Sequence, residues 1–191
     1  MPLVVSSGWA SGVNAYLLVL VLGVADRVAG LTQVPDVLGR TDVLVVAGVL
    51  YAVEFVADKV PYLDSTWDAV STAIRPTVGA VVALLLAGEV STLEQALYAV
   101  LGGGTALASH AVKAGLRLAV NTSPEPVTNV GASITEDVTV LGVVLLALSY
   151  PWVALGVVAV LLVAGIVLLV VIARRVRGGL RRWRERRAAA G

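Results

Sequence analysis

The sequence predicts an all-α, polytopic membrane protein with about six transmembrane helices. Of its 191 residues, 58% are hydrophobic and only 14% are charged, whereas about a quarter of the residues in a soluble domain are charged. Residues 152–173 contain no charged or strongly polar side chain, and about 20 apolar residues suffice for a helix to cross a bilayer. The chain has no cysteine, which excludes disulfides and thiolate metal sites.

Hydropathy windows close to the bilayer thickness indicate six spans. Their approximate bounds are 9–29, 43–60, 72–90, 95–120, 133–149 and 152–173. The uncharged run 138–173 would measure about 54 Å as one helix, against a hydrocarbon core of about 30 Å. Residues 149–152 are therefore predicted to turn, because Pro151 disfavours helix in the residue before it. A five-span chain, with the last two segments merged or one segment re-entrant, is the alternative.

The distribution of basic residues predicts the orientation. With six spans, the four basic residues in or beside the middle spans fall on the same side as the eight C-terminal arginines, and two fall on the other side. Twelve against two is a positive-inside pattern. Both termini are therefore predicted to be cytoplasmic, in a bacterial inner membrane.

The chain divides into a transmembrane domain, 1–173, and a basic cytoplasmic tail, 174–191. A basic cluster contributes about 1 kcal/mol per residue at an anionic leaflet. The tail is predicted to bind anionic lipid headgroups and not nucleic acid. The residues expected to contact lipid there are Arg174, Arg175, Arg177, Arg181, Arg182 and Trp183.

A short amphipathic helix is predicted after Pro61, on the cytoplasmic surface. Trp67, Val70 and Ile74 follow helical intervals. The helix is expected to lie at the interface with Trp67 in lipid, and to end before Pro76.

The second and fourth spans carry polar residues at matching intervals, which predicts two parallel helical-hairpin repeats, about 43–90 and 95–149. In both spans the polar residues occupy positions i, i+3 and i+7 and so share one helix face. The trios are Tyr51, Glu54 and Asp58, and His110, Lys113 and Arg117. The charge is inverted between the two trios.

The intramembrane charges are predicted to pair with one another, because an isolated charge near the bilayer centre costs about 2.5 to 3.5 kcal/mol. The predicted partners are Glu54 and Asp58 with Lys113 and Arg117, and Arg75 with Glu136 and Asp137. These residues could form a functional centre or a lattice of ion pairs that fixes helix register. The sequence leaves both interpretations open.

Three further polar or flexible features lie in the predicted spans. Asn14 follows Gly8 and Gly12, whose spacing is typical of close helix packing, and is expected to donate a hydrogen bond across a helix interface. His110 is the only histidine and is predicted to be a hydrogen-bonded packing residue, with a proton relay as the alternative. The glycines at 102–104 indicate either tight helix contact or a helix break lining a cavity.

The sequence contains no recognisable catalytic or metal-binding motif. Metalloprotease His/Glu patterns, phosphate-binding glycine loops and nucleophile elbows are all missing from it. No enzymatic activity, cofactor or metal site is therefore predicted.

Three passages resemble a small bacterial family of integral membrane proteins that is classified as a domain of unknown function. They are GVNAYL near the N-terminus, EFVADKVPYLDSTWDAVSTAIRPTVGA in the middle and NTSPEPVTNVGASITED further on. The resemblance covers most of the chain except the basic tail. It implies a membrane location and a topology, and it implies no mechanism.

The predicted function is that of a small transporter or channel for a polar or ionic solute, acting as a homo-oligomer. The alternative is a non-transporting membrane module that organises lipids or partner proteins through its amphipathic helix and basic tail. The predicted pathway residues are Asn14, Glu54, Asp58, Arg75, His110, Lys113, Arg117, Glu136 and Asp137.

Overall fold

The computed structural model describes residues 1–60, 63–120 and 126–188, and all regular secondary structure in them is α-helical. Side chains are described in the same ranges except at 120, 126, 127 and 179–188. The helices are α1 (Pro2–Ala29), α2 (Thr41–Ala57), α3 (Leu63–Ala87), α4 (Thr92–Val120), α5 (Pro126–Ser149) and α6 (Pro151–Ala188). The predicted helical membrane fold is confirmed.

Among the described residues, four segments are long and apolar enough to cross a membrane, by length and composition alone, namely Pro2–Ala29, Leu63–Ala87, Thr128–Ser149 and Pro151–Gly178. Of the other two predicted spans, α2 has only 17 residues, and α4 carries charges in its C-terminal half. The predicted turn is also confirmed, since α5 ends at Ser149 and α6 begins at Pro151.

The prediction of a separate interfacial helix ending before Pro76 is wrong. Helix α3 runs without interruption through Pro76. Membrane helices tolerate an internal proline. Next to Pro76, the Ser11 hydroxyl of α1 donates to the carbonyl of Arg75 over 2.8 Å and ties α3 to its neighbour at this point. The first half of α3 is amphipathic, but its polar face points into the bundle: Asp64 and Asp68 are buried and Val70 is exposed.

Helices α1, α3 and α4 approach one another at backbone distance through glycines. A Cβ added to Gly102 would lie 2.5 Å from the carbonyl oxygen of Gly79, and one added to Gly8 would lie 2.6 Å from that of Gly102. Since no side chain fits at these points, the glycines serve close packing. Of the two interpretations left open for 102–104, tight helix contact is observed at Gly102 and Gly103 but not at Gly104, and α4 continues unbroken through all three.

Helix α1 is interrupted at Asn14, whose backbone has φ −150° and ψ 99°. We call the segments on either side α1a (2–13) and α1b (15–29). Contacts along α1a advance in the same direction as α4, because Gly8 lies against Gly102 and the Val13 carbonyl accepts from Lys113. Contacts along α1b advance in the same direction as α5, because Asn14 donates to Asp137 and the later residues Leu20 and Val24 line a pocket with Leu141 and Leu145.

The direction of α5 is opposite to that of α4. Gly165 and Leu169 of α6 lie against Val112 and Gly115 of α4, so α4 and α6 run in the same direction. Helices α5 and α6 form an antiparallel hairpin at Tyr150. Because α1a follows α4 and α1b follows α5, helix α1 turns back on itself at Asn14.

Candidate functional site

Eight charged residues form one connected network of ion pairs between α2, α3, α4 and α5, which we call the charged cluster. Its members are Glu54, Asp58, Asp64, Asp68, Arg75, Lys113, Arg117 and Glu136. Seven of these eight residues are buried, and Glu136 retains 22% of its side-chain exposure. The cluster therefore lies inside the bundle, with one member reaching its surface.

The predicted pairing between the second and fourth spans is confirmed. The Lys113 ammonium lies 2.9 Å from Asp58 Oδ2 and 3.9 Å from Glu54 Oε1. Arg117 Nη2 lies 3.3 Å from the same Asp58 oxygen. Residues four apart share a helix face, so the acidic face of α2 meets the basic face of α4.

The prediction that Arg75 lies near Glu136 and Asp137 is wrong. Arg75 Nη2 donates to Glu54 Oε1 over 2.5 Å, and Nη1 lies 3.0 Å from Asp68 Oδ1. Glu54 lies near the end of α2 and Asp68 lies on α3 itself, whereas α5 packs against α1 and α6. Arg75 therefore pairs with the end of the helix that precedes it.

Glu136 and Asp137 point to different neighbours, because consecutive residues are about 100° apart around a helix. Glu136 Oε2 accepts from Arg117 over 2.6 Å and lies 3.2 Å from the Lys113 ammonium. Asp137 accepts from Asn14 Nδ2 over 3.0 Å and from the Tyr51 hydroxyl over 3.2 Å. The expected hydrogen bond of Asn14 across a helix interface is thus confirmed.

His110 is held through both ring nitrogens. Arg75 Nη1 lies 2.8 Å from Nδ1, and because a guanidinium can only donate, Nδ1 accepts. Nε2 then carries the hydrogen and donates to the Thr72 hydroxyl over 3.0 Å, while that hydroxyl donates to the carbonyl of Asp68. A neutral imidazole that orients Arg75 agrees with the packing role predicted for His110.

Two members of the cluster, Asp64 and Asp68, were missed by the sequence interpretation, which placed them on a surface helix. Their spacing contained a usable signal. Positions 64, 68, 71 and 75 are all polar and lie on one face of α3, so the polar stripe leads directly to Arg75. A polar stripe that continues into a predicted span indicates that this face of the helix points into the helix bundle.

A cleft lies between α4, α5 and α6 and reaches the charged cluster. It consists of an inner pocket of about 300 Å³ and an outer pocket of about 780 Å³. Lys113 lines the inner pocket, Arg117 lines the outer one, and Glu136 lines both. The outer pocket extends to Ile172 of α6, so the cleft opens towards the end of the bundle that carries the arginine tail.

Residues 1–171 match a protein family described as a domain of unknown function, DUF4126. The chain belongs to the DUF4126 family. The match confirms the resemblance in the three sequence passages. No curated protein and no solved structure matches the chain. The DUF4126 domain contains the whole charged cluster and ends before Arg174.

The described part of the DUF4126 protein offers no group of three or more His, Asp or Glu side chains arranged to hold a metal ion. The carboxylates of the cluster instead contact arginine and lysine. What the arrangement can do chemically is hold charge of both signs inside the membrane and expose part of it to the cleft.

The residues predicted to contact lipid are placed only in part. Arg174, Arg175 and Arg177 are exposed on α6, which continues as a helix into the tail, and Trp67 is half-buried. The side chains of Arg181, Arg182 and Trp183 lie outside the described residues. The apolar segment of α6 is only 6% buried, so it offers an extended surface to lipid.

Proposed function

We propose that this DUF4126 protein is a small transporter that moves a polar or ionic solute through the charged cluster. The observation that carries the proposal is the cleft, because it brings Lys113, Arg117 and Glu136 into contact with a space that continues to one end of the bundle. A transport protein needs such an access route to a polar centre, whereas a purely structural set of ion pairs does not.

The composition of the cluster also supports a functional role. Replacing a buried ion pair with well-packed apolar residues is often neutral or stabilising, so stability alone does not require charged side chains here. Ionisable residues inside a membrane most often mark solute or proton pathways. A site with both signs of charge suits a small ion or a zwitterion.

The arginine tail supports a cytoplasmic C-terminus, because positively charged segments remain on the cytoplasmic side. The cleft then faces the cytoplasm. Because α1a runs in the same direction as α4 and α6, it begins on the side where α6 begins, which is opposite to the C-terminal tail. We therefore propose an N-terminus on the opposite side of the membrane, in place of two cytoplasmic termini. We retain the bacterial inner membrane as the proposed location and a homo-oligomer as the proposed state.

The alternative function, a module that organises lipids or partners, relied partly on an interfacial amphipathic helix. That segment is the first half of α3, whose polar face is buried, so the alternative loses the interfacial helix and keeps the exposed tail arginines as its support. The transporter is therefore the better-supported proposal.

Blocking the cleft is expected to stop transport without unfolding the protein. Ala132 lines the outer pocket, and Ala132→Trp would place an indole ring in it and narrow it. The matched control is Val153→Trp, at a position on α6 that is 56% exposed and lines none of the described pockets. Uptake by reconstituted vesicles is measured with protons, ²²Na⁺, glycine and inorganic phosphate as probes.

We expect at least one probe to enter faster than into protein-free vesicles, and its uptake to be lost in Ala132→Trp and retained in Val153→Trp. The proposal would be refuted if vesicles containing the unmodified protein took up all four probes no faster than protein-free vesicles. Equal uptake by both tryptophan variants would refute the role of the cleft.

A further inference from the structure

Among the side chains that the structure describes, the charged cluster contains more carboxylates than cations. It has five acidic members, Glu54, Asp58, Asp64, Asp68 and Glu136, and three basic ones, Arg75, Lys113 and Arg117. The neighbouring Asp137 and Lys59 add one carboxylate and one cation, so the carboxylates still exceed the cations by two. A buried carboxylate without a compensating cation takes up a proton instead of remaining ionised.

The imbalance is concentrated around Arg75, which is shared by Glu54 and Asp68. Nη2 of Arg75 donates to Glu54. Nη1 lies within hydrogen-bond distance of His110 Nδ1 at 2.8 Å and of the Gly12 carbonyl at 3.4 Å, which uses both of its hydrogens. Asp68 Oδ1 forms an ion pair with Nη1 at 3.0 Å, but neither oxygen of Asp68 accepts a hydrogen bond from the guanidinium.

Unpartnered oxygens at the same place supply a second, independent observation. Asp68 is 3% exposed and neither of its carboxylate oxygens has a hydrogen-bond partner, and Glu54 Oε2 is also buried without one. By contrast, Asp58 Oδ2 accepts from both Lys113 and Arg117. Asp68 is thus the least compensated carboxylate among these three.

We propose that Asp68 binds a proton and that the proton is the ion coupled to transport. The proton adds to a carboxylate oxygen of Asp68 and leaves to water, and no other bond changes. A metal cation fits less well, because the described carboxylates do not form a metal-holding group. The coupling role rests on the proposed transport function, but proton binding itself does not.

Charged and titratable groups from five helices surround this site and define the setting in which the proton binds. They are Tyr16 on α1, Glu54 and Asp58 on α2, Arg75 on α3, His110, Lys113 and Arg117 on α4, and Glu136 on α5. A chain of contacts connects the site to the cleft. Asp68 pairs with Arg75, Arg75 pairs with Glu54, and Glu54 lies 3.9 Å from Lys113. Lys113 lines the cleft.

Infrared spectroscopy and thermal unfolding of the purified protein test proton binding without any transport measurement. At neutral pH we expect the carbonyl stretch of protonated carboxyl groups, with one component lost in Asp68→Asn and the whole band retained in the exposed control Asp36→Asn. Because asparagine resembles a neutral carboxyl group, Asp68→Asn should leave the unfolding midpoint almost unchanged. Asp58→Asn, which removes an ionised partner of two cations, should lower it by several degrees.

Two results would overturn the proposal: a carboxyl band of unchanged intensity in Asp68→Asn, or equal destabilisation by Asp68→Asn and Asp58→Asn. A band that appears or disappears with Na⁺ at constant pH would assign the site to sodium instead. If the proton site is found but the vesicles show no uptake, the transport function fails and the site stands.

Discussion

Replacing Arg75 with methionine is expected to destabilise the folded protein by about 3 to 5 kcal/mol, the usual cost of removing one partner from a buried ion pair. Arg75 is 1% exposed and contacts both Glu54 and Asp68. The substitution would leave Glu54 buried without its closest cation and would remove the donor to His110. The measurement is equilibrium unfolding in detergent micelles.

The matched control is Arg40→Met. Arg40 pairs with Asp42 at 2.7 Å, but both side chains are more than 60% exposed, and exposed ion pairs contribute at most about 1 kcal/mol. Arg75→Lys should fall between the two, since a lysine keeps the charge but cannot make the several directed contacts of a guanidinium. Comparable losses in Arg75→Met and Arg40→Met would show that the cluster is not buried as described.

Removing the Asn14 side chain is expected to cost the second largest amount. Asn14 Oδ1 accepts from the backbone N–H of Leu17 over 2.9 Å, which caps the start of α1b, and such a cap contributes about 1 kcal/mol. Asn14 Nδ2 also donates to Asp137, and an orphaned buried acceptor costs a further 1 to 3 kcal/mol, roughly. Asn14→Ala loses both interactions.

Asn14→Asp separates the two contributions, because aspartate keeps the cap and places a second carboxylate against Asp137. We expect it to be destabilised at neutral pH and to recover as the pH is lowered and the new carboxyl group is protonated. Unfolding midpoints measured between neutral and acidic pH check this. Wild-type stability of Asn14→Asp at neutral pH would mean that the contact with Asp137 does not form.

Much of the fold was predictable, because a bilayer limits the options of a chain with this composition. The apolar run before the tail had to fold back, and Pro151 marked the place. The acidic face of α2 and the basic face of α4 had to find each other, since charges at that depth need partners. The contact of Lys113 with Asp58 follows directly from this requirement.

The partner of Arg75 could not be obtained in the same way. Charge balance allowed either Glu54 or the acidic pair on α5, and only the packing of the helices decides between them. In the structure, Glu54 pairs with Arg75 and Arg117 pairs with Glu136, so each pair joins one helix to the next in the chain. The predicted repeat relates the polar positions of the second span to those of the fourth, but it does not determine which carboxylate pairs with Arg75.

The reversal of α1 was also beyond the sequence. Asparagine within an apolar segment is compatible with a straight helix, and the turn depends on Leu17 and Asp137 offering partners to its side chain. Similarly, Asp64 and Asp68 would suit a surface helix, and the depth at which α3 lies decides that they are buried.

Labelling of a single introduced cysteine tests most directly the claim that the charged cluster is open to the side of the arginine tail. Thr135 lines both pockets of the cleft, and the chain has no native cysteine, so Thr135→Cys reports on this position alone. A membrane-impermeant maleimide is added to sealed vesicles of each orientation, with the buried Ala147→Cys as the unreactive control. We predict reaction of Thr135→Cys from the tail side only; reaction from the opposite side only, or from neither side, would contradict the account.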